Sequence, residues 1–482
     1  MCTNRATPTS AGALREVQKP RCRPGGARPL AVEGLFQSVG QGLGETYLSA
    51  FVLWLGGGGL VLGLVGALPT AAGALSQVVA GRVKAGAGGA RAFIGRTWVL
   101  QAGVMALLGT IALFPSFPAV PLVCTMAALA WFLGGLSVPA WTSLVSRVVP
   151  REEHGWFFGL RGAMQQAGVV TAIVGGGLLL SAADSAGNTS LGFLLVFLVA
   201  GLSRGIGSVF LRAVPERAWA LQRVELGALF DVLRTSAKFR RLAYYLWSLH
   251  FATWVASPFF LPYMLRDLGL TYRQVGLLVA VPALVKIITM HYWGRIADRV
   301  GPGPLLRSMG WYVLPVSALW LLSDNVWWIF FAQVYAGLIW GALELAQASA
   351  LLQTTRGRES TVALFNLVDG GVMIAGAVIG GLIVMATDAL NEPGFLVVIA
   401  TSSVLRALPA SFLLRHVRGI GRPGWSHLRI PWRLWGVRAA RGMTLRPWAD
   451  WPPLPEPSFD GRPSSAQETR KPIPEYSKGD VA

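Results

Sequence analysis

Residues 62–69 read Leu-Gly-Leu-Val-Gly-Ala-Leu-Pro, and residues 275–282 read Val-Gly-Leu-Leu-Val-Ala-Val-Pro. Twelve positions beyond each proline stands a Gly-Arg pair, Gly81-Arg82 in the first copy and Gly294-Arg295 in the second. One offset of 213 residues aligns Gly63 with Gly276, Leu64 with Leu277, Ala67 with Ala280, Pro69 with Pro282 and the two Gly-Arg pairs. Both copies lie in long apolar stretches that end in basic residues. An apolar chain that repeats such a phrase reads as two similar membrane-embedded halves, with a binding site expected between them.

Composition carries the same message. Hydrophobic residues make up 53% of the 482 and charged residues 13%, with a mean hydropathy of +0.51. Soluble domains carry about 25% charged residues. A helix needs roughly 20 apolar residues to cross the hydrocarbon layer. We read twelve such spans, at about 35–56, 59–81, 97–114, 118–146, 157–181, 191–211, 242–264, 274–293, 308–323, 326–353, 361–386 and 394–414. Breaks between them carry turn chemistry, as in Gly56 to Gly59 and Pro115-Ser116-Phe117-Pro118. The fold class expected is an all-α membrane protein of two six-helix bundles.

Charge fixes the expected orientation. Loops at 82–96, 147–161, 212–241, 294–307 and 354–360 hold nineteen Lys or Arg, whereas loops on the other side hold two, Arg266 and Arg273. Positive residues stay in the cytoplasm, so the nineteen mark the inner side and both termini are expected inside. The formal charge of +19 is spread over alternate loops, with no nucleic-acid-binding signature, so no nucleic-acid partner is expected. Cys2, Cys22 and Cys124 are scattered and offer neither a disulfide framework nor a metal site.

The organisation expected is a polar, basic cytoplasmic leader at 1–32, a first bundle at 33–212, a cytoplasmic linker at 213–241, a second bundle at 242–415, and a tail at 416–482. The leader has no apolar core of signal-peptide type. The tail interleaves Arg422, Trp425, Arg429, Trp432, Arg433 and Trp435 before turning Pro-rich. It reads as an inner-leaflet contact or a disordered basic segment, with disorder expected after 450. Arg outnumbers Lys by 36 to 6 amid heavy Gly and Ala, which points to a GC-rich bacterial genome and an inner membrane.

After span eight the chain reads Gly294-Arg295-Ile296-Ala297-Asp298-Arg299-Val300-Gly301. This resembles the Gly-x-x-x-Asp-Arg-x-Gly signature loop of the major facilitator superfamily, matched at Gly294, Asp298, Arg299 and Gly301. A degenerate copy follows span two, where Gly81 and Arg82 remain but Ala85 replaces the aspartate. The resemblance covers about 33–415. It implies a twelve-helix transporter that alternates between inward- and outward-open states, with Asp298 latching onto the start of span five. The alternative is a topogenic loop with a surface salt bridge. Ala85 offers span eleven no equivalent carboxylate.

Ionisable residues inside spans are the site candidates, because charge in a bilayer is costly and usually functional. Glu45 lies mid-span with Gln41 and Gln37 at four-residue spacing, on one helical face. By the resemblance, span one lines the cavity. Glu45 is then a proton carrier or cation ligand, or else a structural carboxylate. Glu344 and Gln347 share a face of span ten, Lys286 lies in span eight and Asp369 in span eleven. A Lys–Glu or Lys–Asp pair across the second bundle is expected, or contact with substrate. His250 beside Trp247 is a proton relay or, preferred, a packing residue. Gln165 in span five is a neutral candidate. Arg204 and Arg406 are expected to snorkel or to form buried ion pairs.

The function expected is a secondary transporter of a small solute, monomeric and driven by a proton gradient, without cofactor or metal. An uncoupled facilitator is the alternative. A membrane scaffold or embedded enzyme is less favoured, because the sequence has no nucleotide cradle, metal-ligand cluster or nucleophile elbow.

Overall fold

The computed structural model describes residues 27–82, 89–115, 119–149, 154–214, 225–355, 359–390 and 393–417. These all fall within one compact unit, Met1–Leu428. Residues 1–26 of the expected leader, and the tail from 418 onward, lie outside the described residues.

The described chain is all helical. Its helices are α1 (Ala27–Trp54), α2 (Gly59–Ala80), α3 (Gly89–Thr110), α4 (Ala119–Val148), α5 (His154–Ser185), α6 (Thr189–Phe210), α7 (Ala228–Thr235), α8 (Ala237–Trp254), α9 (Phe260–Arg266), α10 (Tyr272–Val300), α11 (Pro302–Tyr312), α12 (Leu314–Ala318), α13 (Val326–Thr355), α14 (Glu359–Asp388) and α15 (Gly394–Leu408). Among the described residues, nine helical stretches are long and apolar enough to cross a membrane. This is a multi-pass membrane protein. Large apolar side chains such as Leu100, Leu107, Ile288, Phe331 and Val404 are exposed, as a surface that meets lipid requires.

Three expected spans fall outside those nine. The first, α1, carries Glu33, Gln37, Gln41 and Glu45 along its length. It begins at Ala27, so residues 27–32 of the expected leader are helical. The seventh is broken into α8 and α9 around a short 3₁₀ turn at Ser257–Phe259, which contains Pro258. The ninth breaks between α11 and α12, next to Pro315. Proline removes a backbone donor and crowds the preceding turn, so a helix that meets one bends or ends.

The loop expected at 294–301 is corrected by the structure. Residues up to Val300 continue α10, and the turn is made by Gly301 alone, at φ 84°. Only glycine adopts that conformation without strain, and nothing from Arg295 to Val300 breaks a helix. The other end of α10 has a capping box, in which the Thr271 hydroxyl accepts from the Gln274 N–H and the Gln274 side chain accepts from the Thr271 N–H.

Helices α1 to α6 pack on one another, with α1 against α5 and α6, α2 against α4, and α3 against α4 and α6. The later helices do likewise, with α10 and α11 against α13 and α14 against α8 and α15. The two groups meet along α2–α14 and α5–α10. The repeated phrase explains how. A Cβ on Gly63 would collide with the Ala377 carbonyl of α14, and one on Gly276 would lie 3.0 Å from the Ile173 carbonyl of α5. Each repeat glycine is a point where its helix touches the opposite half, and small residues permit that approach.

These contacts are biased toward one end. Phe193 meets Tyr272 edge-on across the halves, and Gly59 packs against Val384. The largest apolar cluster there draws on both halves, from Tyr47, Phe51 and Leu62 to Phe259, Val275 and Val384. At the basic-loop end, a second cluster of Leu30, Ile94, Trp98, Leu144 and Phe157 belongs to the first half alone.

Candidate functional site

The α1 stripe organises the first half. Each step of four residues overshoots a full turn by about 40°, so the stripe winds roughly 120° from Glu33 to Glu45 and meets different neighbours. Glu33 is fully buried. It pairs with Arg161 Nη2 of α5 at 3.1 Å and accepts from the Trp141 indole of α4 at 2.8 Å. The Arg161 guanidinium also lies over the Trp141 ring, 4.2 Å from its centroid. Gln37 Oε1 accepts from Arg204 Nη1 of α6 at 2.7 Å. Gln41 Nε2 donates to both Glu45 oxygens, at 3.1 and 3.2 Å, and the Trp131 indole of α4 donates to Glu45 at 3.0 Å.

Glu33 and Glu45 therefore differ in kind. Glu33 is dry and neutralised by a cation. Glu45 is exposed, its hydrogen bonds come from neutral donors, and the Arg204 charge acts on it without a direct ion pair. Sequence reasoning placed Gln37, Gln41 and Glu45 on one face but missed Glu33. One further step of four would have reached it. Arg161, counted among the loop charges, is buried within α5. The roles of Trp131 and Trp141 had no periodic signal in their apolar runs.

The second half holds two polar contacts that α13 links. Lys286 Nζ of α10 pairs with Glu344 of α13 at 2.6 Å. Three residues on, Gln347 Nε2 lies 3.1 Å from His250 Nε2 of α8, and His250 Nδ1 lies 2.7 Å from Asp369 Oδ1 of α14. Of the pairings open to Lys286, the structure selects Glu344. His250, expected to pack, instead bridges three helices with Asp369 and Gln347. With a neutral ring, Nδ1–H donates to Asp369 and Nε2 accepts from the Gln347 amide. A protonated ring donates at both nitrogens, and Gln347 must then present its oxygen.

Gln165 is half-buried on α5 and joins neither cluster. Gly294 lies within α10 in open space and Gly81 ends α2, followed by Arg82. The Asp298 side chain and Ala85 lie outside the described residues, while Arg299 is half-buried. Arg406 is buried, with Nε and Nη1 lacking a hydrogen-bond partner. Among the described residues, no group of His, Cys, Asp or Glu could hold a metal ion.

The sequence model of the Major Facilitator Superfamily matches residues 242–448. The resemblance to that superfamily holds. The chain is 33% identical over 129 residues to the multidrug resistance protein MdtG of Serratia proteamaculans, covering 26% of this chain and 31% of that protein. It is 27% identical over 177 residues to the MdtG of Enterobacter lignolyticus, covering 35% and 42%. The chain thus aligns with less than half the length of these relatives. In fold it is similar to a bacterial homologue of the human lysosomal transporter Spinster in an inward-facing conformation, with TM-score 0.61 and 14% identity over 81% of this chain and 96% of that one. It is also similar to a D-xylose–proton symporter, with TM-score 0.58 and 11% identity over 82% and 99%.

Proposed function

We propose that this chain is a proton-coupled secondary transporter of a small solute in the bacterial cytoplasmic membrane. It works by alternating access through twelve spans, with both termini inside. The observation that carries this reading is Glu45. A carboxylate midway along a membrane helix, reachable by water and held by neutral Gln41 and Trp131, can exchange a proton with whichever side is open. An ion pair would have fixed its charge, as Arg161 does for Glu33.

The relatives' name supports export of small organic compounds as the direction and cargo. The loop-charge bias supports an inner basic-loop end. With the halves packed together at the opposite end, the conformation is then inward-open. The same reading assigns Asp298, near the inner end of α10, to a latch that would reach the start of α5 when that end closes.

The test is transport in proteoliposomes under an imposed proton gradient. Glu45→Gln keeps a group that accepts from Trp131 but removes titration. We expect gradient-driven movement to be lost while substrate exchange persists. A well-folded Glu45→Gln protein that still accumulates substrate with the wild-type pH dependence would overturn this assignment. Movement unaffected by the gradient in the wild type would favour the uncoupled facilitator. His250–Asp369 is the second coupling reading, favoured by its direct 2.7 Å contact. In that case Asp369→Asn, not Glu45→Gln, uncouples transport.

A further inference from the structure

On the outside of the second half, away from the α1 stripe, a groove of about 460 Å³ opens between α8, α14 and α15. This is within the range of about 300–1,000 Å³ that ligand pockets occupy. Its walls are apolar and include Trp247, Phe251, Val372, Leu405, Leu408 and Phe412. One wall is irregular, because α15 passes into a π-helical turn at Pro409–Leu413. Such turns recur at functional sites. Here the turn leaves Phe412 59% exposed along the groove.

The groove has a polar entrance at one end. Arg241 stands in the first turns of α8, exposed and without an ion-pair partner among the described residues. Seven residues later comes Ser248, which lines the groove. Seven residues are close to two turns, so both lie on one face of α8 and Arg241 sits about 10 Å from Ser248 toward the basic-loop end. Exposed Tyr244 lies between them, and exposed Arg415 follows Phe412 by three residues. From Arg241 to Phe251 the distance is about 15 Å, half of a hydrocarbon layer about 30 Å thick. An occupant therefore has a charged end at the bilayer surface and an apolar end reaching the midplane.

We propose that the groove holds one acyl chain of an anionic glycerophospholipid, with its phosphate on Arg241. In the orientation proposed above, the lipid comes from the inner leaflet. Basic residues at that surface attract anionic headgroups. The bound chain would also cover the α8–α14 seam that the His250–Asp369 contact bridges, since Phe251 follows His250 and Val372 lies one turn beyond Asp369.

Native mass spectrometry of the full-length protein in detergent, titrated with phosphatidylglycerol or phosphatidylcholine, tests this without reference to transport. The wild type should retain one phosphatidylglycerol in preference to phosphatidylcholine. Arg241→Gln should weaken phosphatidylglycerol binding roughly fivefold, the worth of one basic residue at the membrane surface. Arg241→Lys should restore it, and phosphatidylcholine binding should be unchanged throughout. Val372→Trp, which fills the groove, should abolish retention. Equal retention of the two lipids, or wild-type binding of phosphatidylglycerol by Arg241→Gln, overturns the proposal. If Val372→Trp does not fold, the two Arg241 variants decide alone. Because no solute is moved in this measurement, its failure leaves the transport reading untouched.

Discussion

Glu33 and Glu45 stand three steps apart on one stripe of α1, yet substitution at each should report a different property. Glu33→Gln keeps a group that the Trp141 indole can donate to, but strips Arg161 of its counter-charge in a dry site. An unpaired buried charge of this kind costs about 3–5 kcal/mol. We expect a large fall in folded yield and melting temperature in detergent, whatever substrate is present. Replacing Glu33 and Arg161 together by methionine should recover much of that loss, because a buried pair often does no better than apolar side chains. A Glu33→Gln protein that melts with the wild type would show that the pair contributes nothing. Glu45→Gln, by contrast, should melt normally. The sequence made Glu45 visible because a carboxylate flanked by long apolar runs stands out. Glu33 was hidden because the edge of the first span was drawn beside it. Partners such as Trp131 and Arg204 were illegible because they lie on other helices, 86 and 167 residues from the groups they bind.

Among the helices, the repeated phrase was legible as a duplication but not as a contact. Gly63 and Gly276 looked like any glycines in an apolar run, and only packing shows each one against the opposite half. Gly276→Leu should wedge α10 away from α5, since a first added carbon already lies 2.9 Å from the Tyr47 hydroxyl and 3.0 Å from the Ile173 carbonyl. Overpacking of this kind costs about 1–3 kcal/mol. The variant should melt lower, and a cysteine placed at Tyr272 should react faster with an impermeant thiol reagent. Unchanged melting and reactivity would mean that the crossing gives way without opening. The helical run through Asp298 was misjudged for a related reason. The resemblance implies a loop there, but none of the residues from Arg295 to Val300 stops a helix.

For the molecule as a whole, topology is open to a direct test. Single cysteines at 186 and 389, on turns at the end where the halves meet, should label from outside intact cells, whereas one at 235 should not. Labelling at 235 would invert the orientation, and with it the leaflet assigned to the groove on α8. The all-helical, multi-pass character was legible, since hydropathy acts over whole spans. The one-sided packing was not, because it depends on which helices cross the middle of the molecule. The α1 stripe has a consequence in time. Trp141 follows Glu33 by 108 residues and Arg204 follows Gln37 by 167. At a synthesis rate of about 5–20 residues per second, α1 exists for roughly ten to thirty seconds before its last partner is made. During that interval its polar face has no protein to satisfy it, so the nascent helix must be sheltered by the insertion machinery until α4, α5 and α6 arrive. The earliest-made of the described helices is thus among the last to settle, and this is when a quality-control protease would find the chain.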